Sequence, residues 1–235
     1  MKPSVRAAAS ELVLEVRLPE DPAELQPLIM KYAIDPSGKK LSQKLSPEVK
    51  AKLDKELGAV GLPPQALEPL EPWFISMTLA QVGAQKLGLV PEFGPETILT
   101  KSAKEKGKSV TELETIESQI AMLDAVPESE QIIGVNQTIE KMDKIGETFA
   151  PMINAWASGD TEGLTKIMNE GVEEMPTLYK AMFVDRNAKW ADWVGQRLAK
   201  PGIVFMAVGA GHLAGPDSVQ TFLAKKGIKS AKVSS

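Results

Sequence analysis

Three side chains able to bind a metal or move a proton stand where the sequence predicts strands to end. Glu15 closes Glu11-Leu-Val-Leu-Glu-Val16, Glu114 follows the β-prone Lys108 to Leu113, and His212 lies in the glycine-rich loop after Ile203 to Val208. Ligands of open α/β sheets gather outside the carboxyl ends of strands, so parallel neighbouring strands would bring two carboxylates and one imidazole to one edge. Such a set suits a divalent cation, since neutral imidazole and carboxylate are common ligands of zinc and manganese. Each residue also has a plainer reading: His212 as hydrogen-bonded structure, Glu15 as a solvated strand end, Glu114 as an N-cap or first-turn acid facing a helix dipole. Gly209, Gly211 and Gly215 favour a site role for His212, because glycines let the backbone turn tightly and approach a ligand or cofactor.

Arg186 shares a helical face with Met182, Trp190 and Trp193, so its guanidinium must snorkel outward or meet an anion. Paired with Glu15, Glu114 or a substrate carboxylate it would orient the site; packed on tryptophan and reaching the surface it would have no chemical part. Asn187 follows it directly. The tryptophans themselves read as core. Other chemistries have little footing. The chain has no cysteine, which removes disulfides and thiolate sites, and one histidine, which leaves a single imidazole base. No GxSxG elbow occurs, and the loop spacing GxGxxxG departs from the dinucleotide fingerprint.

These residues need a scaffold, and the composition supplies one. Of 235 residues, 43% are hydrophobic and 25% charged, enough apolar material for a sizeable core. The 31 acidic and 27 basic residues are interspersed, so the broad positive field of a nucleic-acid partner is absent. Trp73 to Val90 is interrupted by Gln81, Gln85 and Lys86, which predicts a core helix and no membrane span. No secretory signal is visible at the start.

Helical spacing marks Val5 to Ser10, Ala23 to Tyr32, Pro47 to Leu57, Lys101 to Gly107, Glu117 to Leu123, Ser129 to Ala157, Asp160 to Met175, Pro176 to Ala199 and Val219 to Lys226, and Ile228 to Val233 reads as a last short strand. Strands separated by helices predict an α/β fold, helix-rich, with a central mixed β-sheet among many helices.

Leu12-Val-Leu-Glu-Val16, Leu113-Glu-Thr-Ile-Glu-Ser-Gln119, Asp185-Arg-Asn187 and Ala207-Val-Gly-Ala-Gly-His-Leu-Ala-Gly-Pro216 occur in the order seen in the TraB/GumN family, which is similar to the Tiki metalloproteases. The resemblance covers nearly the whole chain, with residues 1–235 as a single domain. It implies an α/β fold whose site is shared by paired GxxH motifs, an acid after the first strand, and an Arg-Asn pair. Residue by residue, Glu15 matches the first acid, Glu114 the acid of the LET segment, Arg186 and Asn187 the pair, and His212 the second GxxH.

The implied activity is a metal-dependent hydrolase, peptidase-like, using Mn, Co or Zn. Its substrate would be a peptide or small molecule, with Glu15 or Glu114 as ligand or general base. Two departures bear on this. No GxxH precedes Leu12, as though an N-terminal strand, and with it a signal for an extracytoplasmic location, were lost upstream; Gly94-Pro-Glu-Thr97 stands where relatives have Gly-hydrophobic-Asp. The missing histidine predicts weak metal binding. It also opens two other readings: a non-catalytic peptide- or cofactor-binding protein using the same pocket, and a chain whose bare sheet edge drives it to a homodimer.

Overall fold

The computed structural model describes residues 8–19, 21–90, 93–142, 144–168 and 170–233. Its sheet is built from β1 (Glu11–Leu14), β2 (Ser109–Glu112) and β3 (Val204–Ala207) in the order β2-β1-β3, with both pairings parallel. Leu12 faces Val110 and Phe205, and Leu14 faces Glu112 and Ala207. The α/β, helix-rich class stands. The described sheet is wholly parallel where a mixed sheet was expected, because every connection between its strands runs through helices and returns the chain to the same end. Ile228 to Val233 is not a strand. Ile228 packs beneath the last helix, but Lys229, Ser230 and Lys232 have no apolar face to bury and stay exposed.

The helices are α1 (Gln26–Tyr32), α2 (Pro47–Gly58), α3 (Pro72–Lys86), α4 (Pro95–Glu105), α5 (Ile116–Asp124), α6 (Glu128–Met142), α7 (Ile145–Ser158), α8 (Thr161–Met168), α9 (Arg186–Leu198) and α10 (Val219–Lys225), joined by shorter turns. The helix predicted over Ser129 to Ala157 is two. The chain breaks after Met142, and both Met142 and Ile145 then pack on Gly83 of α3, where a β-carbon would stand 3.1 Å from the Ile145 side chain. The helix predicted over Asp160 to Met175 ends at Met168, and that over Lys101 to Gly107 starts earlier, at Pro95. Of the short helix predicted at Val5 to Ser10, residues 5–7 lie outside the described residues.

Three apolar clusters hold the elements. Leu53 and Leu57 of α2, Ile75, Leu79 and Val82 of α3, and Val135 and Ile139 of α6 form the largest. The region predicted as a core helix is α3, buried along Trp73, Ile75, Leu79 and Val82. Leu12 and Leu14 of β1 pack with Ala103 of α4. Trp190 and Ala191 of α9 close against Val219 and Leu223 of α10, with Met206 and Val208 beside them. This third cluster fixes α9 over the carboxyl ends of the strands. No helix among the described residues is long and apolar enough to cross a membrane.

Candidate active site

Parallel pairing sets the carboxyl ends of β1 and β2 side by side. Leu113 donates its N–H to the Leu14 carbonyl at 2.9 Å and Glu114 to the Glu15 carbonyl at 3.1 Å, so the two acids leave the sheet together. Thr115, not Glu114, caps α5 by accepting from the Ser118 N–H. Beyond β3 the chain turns at Gly209, whose N–H donates to Glu15 Oε2 at 3.3 Å. The next four residues, Ala210–Leu213, make one 3-10 turn that carries His212.

The fourth wall comes from the chain entering α9. A π-helical turn over Lys180–Asp185 leads directly into that helix, placing Phe183 and Arg186 on the site side. Such wide turns recur at functional sites. The Phe183 ring lies 5.2 Å from the imidazole of His212, and Trp190, one turn beyond Arg186, 4.4 Å away on ring centroids.

Arg186 is the hub. Its Nε donates to both oxygens of Glu114 at 3.0 Å, its NH2 meets Glu15 Oε1 and, at 2.9 Å, Glu114 Oε2, and its NH1 donates to the Met182 carbonyl at 3.2 Å. The guanidinium carbon stands 4.8 Å from the Trp190 ring. Of the two sequence alternatives for Arg186, the paired one is realised: it is buried and pairs two acids, and it stacks on Trp190 without reaching the surface. Burial works against its charge, but the hydrogen bonds to Glu114 and Glu15 win and raise its pKa. Burial likewise pushes the Glu15 carboxyl up, yet the hydrogen bond and charge of Arg186 bring it below the usual carboxylate range.

His212 is 5% exposed. Asn187 donates through Nδ2 to the Asp217 carbonyl at 2.6 Å, so its Oδ1 faces His212 Nδ1 at 2.7 Å. An amide oxygen only accepts, so Nδ1 carries the proton and Nε2 holds a lone pair. That lone pair faces Arg186 NH1 at 3.3 Å and Glu15 Oε2 at 3.8 Å. Burial, helped by the charge of Arg186 and opposed by Glu15 and Glu114, pushes the imidazole pKa down to about 4, so His212 is neutral at pH 7.

The structure thus gathers Glu15, Glu114, Arg186, Asn187 and His212. Gly209 binds Glu15, and the space beside Gly211 is filled by Met168 and the Phe183 ring. Three contributors were not singled out as site residues in the sequence. Gln119 Nε2 donates to Glu15 Oε1 at 3.0 Å and Glu114 Oε2 at 3.1 Å; Trp190 Nε1 donates to Glu114 Oε1 at 2.9 Å; the Asp217 carboxylate accepts from Tyr179 OH at 3.1 Å. The signal for Gln119 was its place in the same Leu113–Gln119 segment, five residues after Glu114.

Glu15 Oε2 and His212 Nε2, 3.8 Å apart, could both reach one ion at bond lengths of about 2.0–2.2 Å. Both oxygens of Glu114, however, are taken by Arg186, and no group of three His, Asp or Glu among the described residues could hold a metal ion. Two donors fall short of the three protein ligands usual in a catalytic site, so the described residues do not fit a divalent metal centre.

A model of the TraB/PrgY/gumN family matches residues 1–232. The protein named "Uncharacterized protein YbaP" in Escherichia coli strain K12 is 29% identical over 192 residues, covering 82% of this chain and 71% of that protein; the Shigella flexneri protein of the same name matches to the same extent. No solved structure matches the chain.

Proposed function

Since the chain belongs to the TraB/PrgY/gumN family, we propose that it is a hydrolase of peptide or related amide bonds, with the Arg186 cluster as its reacting centre. The observation that supports this most is the state of His212: buried, neutral, its Nδ1–H held by Asn187, its Nε2 lone pair set between Arg186 and Glu15. A water bonded between Nε2 and Glu15 Oε2 would give its proton to Nε2 while its oxygen bonds the carbonyl carbon. The C–N bond then breaks, and the leaving amine takes the proton back from Nε2. Arg186 holds Glu15 and Glu114 in place beside that water. Asn187 holds the tautomer, Gln119 and Gly209 hold Glu15, and Trp190 holds Glu114.

The metal-dependent form of this reading, with Mn, Co or Zn, requires a third donor besides Glu15 and His212, so binding of these ions by this chain is expected to be weak. The test is hydrolysis of a blocked fluorogenic peptide library, with and without each ion. Slow turnover lost in His212→Ala supports the reading; equal turnover in that variant overturns it. A second reading, sequestration of a peptide or cofactor, is favoured by the engagement of both carboxylates by Arg186. It predicts ligand binding unchanged in His212→Ala and no turnover in either protein.

A further inference from the structure

Beside the Glu114–Arg186 pair a cleft of about 560 Å³ opens between the end of β2, α5 and the start of α9. Its size is that of a small-molecule site, and the charges on its walls are unequally satisfied. Glu112 pairs with Arg17, Asp185 with Lys180 at 2.6 Å, and Glu114 with Arg186. Lys189, exposed and one turn along α9 from Arg186, also lines the cleft and has no ion-pair partner among the described residues. Among the described charged groups lining the cleft, Lys189 is thus the one left without an ion pair, and its long flexible stem suits it to reaching a ligand carboxylate.

Gln119 lines the same cleft. Both hydrogens of its Nε2 are committed, one to Glu15 and one to Glu114. The amide is thereby fixed in orientation, and the polar atom left to it is Oε1, an acceptor with no partner among the described residues. The cleft thus offers a cation and an N–H acceptor next to the cluster, with Leu113 and Met122 adding apolar lining. A free carboxylate and an amide N–H one residue apart are what the last residue of a peptide presents.

We infer that this cleft is the subsite for the carboxy-terminal residue of a peptide, whose carboxylate meets Lys189 and whose last amide N–H donates to Gln119 Oε1. The inference deepens the reading of the cluster as an amide hydrolase by naming the end of the substrate it engages. It is tested by binding, so its failure and the failure of hydrolysis can be told apart.

The probes are acetyl-alanyl-alanine as the free acid and as its carboxy-terminal amide, titrated into the whole chain and followed by amide chemical shifts in two-dimensional NMR. Lys189→Met and Lys189→Glu serve as variants, because an exposed helix position tolerates both. The expected result is that the acid shifts residues of α5 and early α9, binds roughly tenfold or more tightly than the amide, and loses that advantage in both variants. Equal binding of acid and amide, no binding of the acid, or an advantage that survives Lys189→Glu would each overturn the inference. Turnover of blocked peptides lost in His212→Ala, alongside any of those results, would leave the hydrolase reading standing without this subsite.

Discussion

Replacing Arg186 with methionine keeps much of the side-chain volume and removes the charge that holds two acids together. The arginine side chain is 6% exposed, that of Glu114 14% and that of Glu15 23%, so solvent can compensate little. Without the guanidinium, Gln119, Trp190 and Gly209 still donate, but two negative charges are left facing each other. Removing one member of a buried ion cluster costs about 3–5 kcal/mol, a large share of the roughly 5–15 kcal/mol that holds a domain folded.

The sign with pH should also reverse. In the parent protein the lowered carboxyl of Glu15 contributes stability above its unfolded pKa, and this is lost as pH falls through the folded value. In the variant, the crowded pair raises one carboxyl above its unfolded pKa, so lowering the pH from 7 to 5 should restore part of the loss. Adding Glu114→Gln to Arg186→Met should do the same at pH 7. Urea unfolding at both pH values measures this. A loss under about 1 kcal/mol, or an equal loss at pH 5 and pH 7, would refute the claim that Arg186 is the electrostatic hub.

The depressed pKa of His212, from 6.5 to about 4, makes folding increasingly unfavourable as pH falls across that window, by up to about 3 kcal/mol. Urea midpoints should decline from pH 6.5 to pH 4 in the parent protein and decline less in His212→Asn. Asn187→Ala strands the His212 Nδ1–H and the Asp217 carbonyl, and calorimetry should read a cost of about 1–3 kcal/mol. Gly211→Ala would set a β-carbon 2.8 Å from Met168 Sδ and 3.1 Å from the Phe183 ring; a loss of about 1–3 kcal/mol is expected from overcrowding, and an unchanged melting temperature would contradict the packing described.

Where function was written in local pattern, the sequence was readable. Apolar runs ending in Glu15 and Glu114, and the glycine loop around His212, placed these groups at one sheet edge, because parallel strands present their ends together. Arg186 on an apolar face had to snorkel outward or meet an anion, and it meets two. What escaped was information carried by packing. Nothing local shows that the helix after Glu128 must break at Met142 to seat Ile145 on Gly83. The π-helical turn before Arg186 is likewise invisible in a helical period. Gln119 and the Trp190 Nε1–H act through Glu15 and Glu114, 104 and 76 residues away, contacts that only the folded chain defines. The tail after Ile228 misled because one apolar residue resembles a strand start, while its polar neighbours offer no sheet a face.

His212 is the chain's one histidine, so its imidazole can be followed without ambiguity in protein carrying nitrogen-15 histidine. Long-range nitrogen–proton spectra across pH 3 to 8 test the cluster most directly. A single neutral tautomer with the proton on Nδ1 is expected through neutral pH, with protonation only near 4. Mixed or Nε2-protonated tautomers titrating near 6.5 would contradict it.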